Sequence, residues 1–252
     1  FGIRVPDGVA VDFPAVMERM RRIRAGISPH DGARRFRDMG VDVYIGDGTF
    51  TGPDTLEVDG ATLRFARAAI TTGGRAAAPP IPGLDSVDHL TNETLFSLTE
   101  LPGRLGVIGA GPIGAEMAQC FARFGSHVSL IEVGEHILGR EDPDAAAVVQ
   151  AGFVRDGIDL ELGARIARVE ARGADKVVHL ERDGKPSELV VDRLLVAVGR
   201  KPNVDGLGLE AAGVAYDERL GVTVDDHLKT SNDRIYAAGD VCSQYKFTHT
   251  AD

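Results

Sequence analysis

Residues 104–133 decide the reading of this chain: Arg104-Leu-Gly-Val-Ile-Gly-Ala-Gly-Pro-Ile-Gly-Ala-Glu116 opens the stretch and His127-Val-Ser-Leu-Ile-Glu-Val133 closes it. The apolar run Leu105 to Ile108 predicts a buried parallel strand. Gly109, Gly111 and Gly114 follow at G-x-G-x-x-G spacing. Ile113, Met117, Phe121 and Phe124 then share one helical stripe, which Gly125 ends. Each glycine has its own task. Gly109 permits the turn out of the strand, Gly111 lets a ligand approach the backbone, and Gly114 lets the helix pack close to the strand.

The turn Gly111-Pro112-Ile113-Gly114 presents backbone N–H groups at the positive end of a helix, which favours an anion such as a dinucleotide pyrophosphate. The second strand, Val128 to Ile131, ends in Glu132. A carboxylate there is placed to accept hydrogen bonds from an adenosine ribose and would repel a 2′-phosphate. NAD is therefore expected in preference to NADP, although His136 and Arg140 nearby weigh the other way. Strand, glycines, helix, second strand and acid arrive in order, which sets this stretch apart from an isolated glycine turn.

The remaining composition narrows the function. Across 252 residues the formal net charge is −10, which argues against nucleic acid or an anionic membrane as the main partner. Apolar runs are only strand-length and no signal peptide is visible. The two cysteines, Cys120 and Cys242, are too far apart to form a local redox or metal motif, so no metal site is expected within the chain. Cys120 reads as a small buried hydrophobe inside the helix, and Cys242 as a neighbour of a turn. A reducing, cytoplasmic setting is the default for such cysteine usage.

Along the chain, Asp12 predicts a helix cap, with Phe13, Val16, Met17, Met20 and Ile23 on one face. Arg19, Arg21, Arg22 and Arg24, with Arg34, Arg35 and Arg37, read as a solvated basic face. Gly40 to Gly46 predicts a short alternating strand. The glycine cluster at 46–52 is misspaced for a second dinucleotide loop and reads as a bend. Leu56–Val58 and Leu63–Phe65 flank an Asp59-Gly60 hairpin turn, Ala68–Thr72 forms a further strand ending at Gly73, and a proline-rich connector spans 79–83.

The second half repeats this order. Gly157–Gly163 echoes 40–46, Leu180-Glu-Arg-Asp183-Gly184 echoes Leu56-Glu-Val-Asp59-Gly60, and Leu194–Val198 leading into Gly199-Arg200 echoes the strand leading into Gly74-Arg75. The offset stays near roughly 120 residues, a spacing of duplicated domains rather than a solenoid. The expected fold class is α/β, with tandem Rossmann-like dinucleotide-binding folds. Subtracting the offset from Gly109 puts the first copy's glycine loop before residue 1, so the chain is expected to be a central portion. The tail, Ile235 to Ala238 and then Gly239-Asp240, reads as a return strand. Asp240 could accept from a sugar or polyol hydroxyl, or could cap a following helix.

Three ordered motifs, Gly109–Glu116, Ala197-Val-Gly-Arg-Lys-Pro-Asn203 and Tyr236-Ala-Ala-Gly-Asp240, together resemble the pyridine nucleotide-disulfide oxidoreductases. This family includes dihydrolipoamide dehydrogenase, glutathione reductase and mercuric reductase. The 137–144 and 197–203 runs look most like the mercuric-reductase-like branch, while Glu132 is what NAD-using dihydrolipoamide dehydrogenases carry. The resemblance implies FAD and NAD as cofactors, NADP less so. It assigns Gly109, Gly111, Pro112, Ile113 and Gly114 to the NAD(P)H pyrophosphate and Glu132 to the ribose. Glu116, in the first helical turn, and Gly199 fall to the nicotinamide side. Thr72, Gly73, Gly239 and Asp240 fall to FAD, with Asp240 on its ribitol.

The implied layout is a partial FAD-binding domain at 1–99, an NAD(P)-binding domain at 100–225 and an FAD return segment at 226–252. The implied activity passes hydride from NAD(P)H to FAD and on to a disulfide or Hg(II). Dihydrolipoamide dehydrogenase and a redox-inactive nucleotide-binding protein of the same fold are the alternatives. The family's redox pair, two cysteines four residues apart, is not in this sequence, nor is its first glycine loop or C-terminal dimerisation domain. His249 does not map onto that domain's catalytic histidine. A small-molecule or disulfide substrate and a homodimeric parent enzyme complete the expectation, with the chain alone expected to bind NAD(H) but not to turn over.

Overall fold

The computed structural model describes residues 8–246. In chain order its helices and strands begin with α1 (Phe13–Asp31), α2 (Ala33–Asp38), β1 (Thr49–Gly52), β2 (Thr55–Val58), β3 (Ala61–Arg64), β4 (Ala68–Ile70) and β5 (Gly74–Ala76). There follow β6 (Arg104–Ile108), α3 (Pro112–Phe124), β7 (His127–Ile131), α4 (Pro143–Arg155), β8 (Asp159–Glu161), β9 (Arg165–Arg172), β10 (Asp175–Arg182), β11 (Lys185–Val191) and β12 (Arg193–Val196). The last are β13 (Arg200–Pro202), β14 (Tyr216–Asp217), β15 (Gly221–Val222) and β16 (Ile235–Ala237). Two compact units emerge. One joins the chain up to Ile27 with Ala78–Gly199, and the other joins Ser28–Ala77 with the chain from Arg200 onward. The divisions fall at 27/28, 77/78 and 199/200, whereas the sequence places boundaries at 99/100 and 225/226.

In the first unit β12, β6, β7 and β8 form a parallel sheet in that order. Alternate residues feed two separate cores, as the two-residue strand period requires. Leu105, Val107, Val128, Leu130 and Leu195 pack with Phe13, Met17, Phe121 and Phe153 from α1, α3 and α4. Ile108, Ile131, Leu194 and Val196 pack on the other face with Val169, Val178 and Leu180 of the antiparallel sheet β11-β10-β9. The strand stretches read as continuous apolar runs because both faces are covered. Asp12 caps α1 by accepting from Ala15 N–H at 3.1 Å. Of the residues placed on its apolar face, Phe13 and Met17 are buried, while Val16 and Ile23 are exposed.

The second unit contains the meander β1-β2-β3, the parallel pair β16-β4 and the antiparallel pair β13-β5. Its core gathers Phe50, Ile70, Val204, Leu209, Ile235 and Val241. The repeat is visible in backbone detail. Asp59-Gly60 (φ 48° and 74°) and Asp183-Gly184 (φ 51° and 71°) turn their hairpins with both central residues left-handed, as a type I′ turn demands.

One member of the repeat departs from expectation. The counterpart at 157–163 supplies β8, which pairs with β7, but residues 41–45 form no strand. Val41, Tyr44 and Ile45 are exposed there, and Val41 N–H bonds back to Phe36 O at 3.0 Å. Alternation alone does not make a strand; the backbone needs a neighbour to complete its ladder. Cys120 corrects a second expectation, since it is exposed on α3 rather than buried. Among the described residues no helix is long and apolar enough to cross a membrane.

Candidate nucleotide-binding sites

In the first unit the glycine loop joins β6 to α3. Gly109 N–H donates to Ile131 O at 2.9 Å, extending the β6–β7 pairing one residue past the strand. Its φ of 96° is left-handed, and a Cβ there would meet Ala197 O at 2.7 Å. At Gly114 a Cβ would fall 1.9 Å from Gly109 O, so α3 rests directly on the turn. Gly111 is different: nothing lies within 4 Å of the position its Cβ would take. The room above Gly111 is what a phosphate approaching the backbone needs.

Gly111 is also the N-cap of α3, no side chain caps it, and Pro112 follows at the first helical position. The first bond of the helix runs from Ala115 N–H to Gly111 O at 2.9 Å, so earlier N–H groups have no partner inside the helix. Unpaired donors, the helix dipole and open space therefore coincide at one point.

Glu132 stands beside this loop. Its Oε2 accepts from Ala110 N–H at 2.8 Å and its Oε1 from Gly134 N–H at 3.0 Å. Its own N–H donates to Glu161 O of β8 at 3.0 Å, and its carbonyl accepts from Ala164 N–H at 3.1 Å. The carboxylate is thus fixed before any ligand arrives, and each oxygen retains a further lone pair for a hydroxyl donor. These residues fit a dinucleotide: helix-start amides without an intrahelical partner offer donors to an anion, and the Glu132 carboxylate offers acceptors to a hydroxyl.

Ala110, Gly134 and Leu138 were not singled out in the sequence. Ala110 O accepts from Leu138 N–H at 2.8 Å, and Leu138 has a left-handed φ of 54°. A leucine in that region carries strain of the kind found around ligand clamps. Nothing in the sequence announces it, although Gly134 two residues beyond the acid hints at a tight turn.

Glu116 lies beyond the first turn of α3 and is exposed, which corrects its placement in that turn. His136 Nδ1 lies 2.9 Å from Ile137 O, and Arg140 is exposed. Gly199, at the end of this unit, is exposed with a φ of 114° and open space about its Cβ position.

The second unit holds the remaining expected residues. Thr72 and Asn203 bond reciprocally: Thr72 Oγ1 donates to Asn203 O at 2.8 Å, and Asn203 Nδ2 donates to Thr72 O at 2.9 Å. Asn203 N–H donates to Gly73 O at 3.0 Å. Gly239 starts a short 3-10 turn, Gly239–Val241, with Ala238 as its N-cap. Asp240 lies inside that turn and does not cap it; its Oδ2 instead accepts from Arg200 Nε at 2.7 Å. Burial pushes the Cys242 thiol up, away from reactive thiolate.

The family described as pyridine nucleotide-disulphide oxidoreductase matches residues 14–252. The chain belongs to the pyridine nucleotide-disulphide oxidoreductase family. Members of this family are flavoprotein oxidoreductases that use FAD and NAD(P)H. A mercuric reductase of Bacillus cereus is 42% identical over 214 residues, covering 85% of this chain and 34% of the relative. A dihydrolipoyl dehydrogenase of Cupriavidus necator is 35% identical over 222 residues, covering 86% of this chain and 47% of the relative. A solved structure, the HOCl-induced flavoprotein disulfide reductase RclA from Escherichia coli, superposes with a TM-score of 0.88 at 34% identity. That match covers 96% of this chain and 55% of RclA. The chain therefore spans about a third to a half of the length of these family members.

Proposed function

We propose that the chain binds NAD(H) on the Gly109–Gly114 loop, with the pyrophosphate against Gly111, Ile113 and Gly114 and the adenosine ribose on Glu132. The observation that carries this is the open space over Gly111, flanked by two glycines that the fold itself needs. Pro112 contributes a pre-set backbone at the helix start. Glu116 and Gly199 are assigned to the nicotinamide side, and Thr72, Gly73, Gly239 and Asp240 to FAD. The layout is an NAD-binding domain at 100–225 between FAD-binding flanks at 1–99 and 226–252.

The activity proposed is a pyridine nucleotide-disulfide oxidoreductase of the mercuric-reductase-like kind, acting on a small molecule, a disulfide or Hg(II). Thr72, Gly73, Gly239 and Asp240 would hold FAD, which would supply two-electron, hydride-accepting chemistry. The residues of this chain bind and orient: amides neutralise phosphate charge, Glu132 fixes the ribose, and Asp240 holds a polyol hydroxyl. None is assigned to the bond-breaking step. Glu132 favours a second reading, a dihydrolipoyl dehydrogenase, because it selects NAD. The reading also takes the protein to be cytoplasmic, which its two free cysteines favour, and homodimeric, which the family resemblance implies.

Calorimetric titration of the purified chain with NADH tests the binding reading. A single saturable site that Gly111→Ala weakens supports it, and an affinity unmoved by that substitution removes the loop from the site.

A further inference from the structure

Arg200 opens β13, opposite Ala76 of β5, and its side chain reaches two partners in the same unit. Its Nη2 donates to Gly74 O, and its Nε donates to Asp240 Oδ2 at 2.7 Å. The two side chains are only 21% and 17% exposed, so each is the main compensation for the other's charge. Gly74 makes room for the pair: a Cβ there would lie 3.4 Å from Asp240 Cβ and 3.0 Å from Lys201 O. On the other side Lys246 Nζ donates to Asp240 O at 2.8 Å and Ser243 O at 3.0 Å. The acid is therefore held at both its main chain and its carboxylate.

This hold is selective. Oδ2 is taken by the guanidinium, whereas among the described residues no donor reaches Oδ1. We infer that Arg200 is the positioning residue of the flavin site: it ties down Oδ2 so that Oδ1 is presented as acceptor to a polyol hydroxyl of FAD. The inference rests on the assignment of Asp240 to the FAD ribitol made above. Fixing the carboxylate rotamer in advance spares the ordering cost on binding, and a charge-assisted pair fixes it more firmly than a neutral bond would.

The test is a double-mutant cycle in the full-length protein read by FAD affinity, from quenching of flavin fluorescence, with NADH affinity and far-UV circular dichroism measured on the same samples. Asp240→Asn and Arg200→Met are each expected to weaken FAD binding by roughly tenfold or more, the scale of one charged hydrogen bond. Arg200→Lys should restore part of the loss, and the double variant should bind no more weakly than the weaker single variant. NADH affinity should stay unchanged throughout. If the full-length protein binds no FAD, or binds it equally well as Asp240→Asn, the ribitol assignment falls and this inference with it. If Asp240→Asn weakens FAD while Arg200→Met does not, or if the two losses multiply, Arg200 has no positioning role though Asp240 keeps its own.

Discussion

Glu132 Oε2 accepts the N–H of Ala110 at 2.8 Å, tying the end of β7 to the middle of the glycine loop 22 residues earlier. Ala110 is 1% exposed, so its N–H has little access to water if the carboxylate is removed. Glu132→Ala should therefore cost about 1–3 kcal/mol of stability, the penalty of a stranded buried donor, read by urea denaturation. Glu132→Arg should also move the NADH/NADPH affinity ratio toward NADPH. A ratio that stays fixed would mean that the acid holds the loop but does not face the ribose.

The three glycines should respond differently to the same added methyl group. Gly114→Ala puts a Cβ 1.9 Å from a backbone oxygen and should destabilise the unit by about 1–3 kcal/mol or more, since neither partner is a flexible side chain. Gly111→Ala meets nothing within 4 Å at a φ of −71°. Its melting temperature should stay close to that of the unsubstituted protein while NADH affinity falls. Equal thermal losses for both variants would contradict this division of roles.

On β9, Glu170 is bracketed by Arg168 and Arg172, with His179 Nε2 at 3.2 Å and Glu188 at 3.4 Å from His179 Nδ1 on the far side. Arg168, followed by His179 and Arg172, holds the Glu170 carboxyl down from 4.5 to about 2. A depressed carboxyl contributes stability above its unfolded value, and that contribution disappears as pH falls through the folded one. Glu170→Gln should be the less stable protein at pH 6, with the gap closing between pH 4.5 and about 2. Thermal melts across that range check it, and a gap independent of pH would count against the charge cluster.

Phe13 carries α1 into the first unit's core, 2% exposed and within 5.7 Å and 5.8 Å of the Phe121 and Phe124 ring centroids. Phe13→Ala should cost about 3–5 kcal/mol, and removing the cap with Asp12→Ala only about 1. If urea midpoints ranked the two the other way, α1 would not be anchored through its aromatic contact.

The β6–α3–β7 segment was legible because every local signal agrees there: a strand buried on both faces, glycines at fixed spacing and a helix with a stop. The two Asp-Gly hairpins were legible for the same reason, since a type I′ turn is written in two residues. Non-local features were not. The pairing of β13 with β5 joins residues about 125 apart and has no pattern of its own. The alternating 40–46 stretch has the period of a strand without a neighbour to pair with. Helix α4 has a weak sequence signal: Asp142 accepts from Asp144 N–H at 2.9 Å and Pro143 opens its first turn, but its alanines and valines show no strong apolar stripe. At the site, the acids and glycines could be named in advance. The Ala110–Leu138 bond and the Arg200–Asp240 pair could not, because they depend on how distant strands end.

The most direct measurement is an amide-resolved NMR titration of the chain with NADH. The largest shifts should fall on Gly111, Ile113 and Gly114, with Ala110 and Gly134 following as the Glu132 carboxylate takes up the ribose. Shifts confined to other residues, or none at saturating NADH, would contradict the assignment of this loop as the nucleotide site.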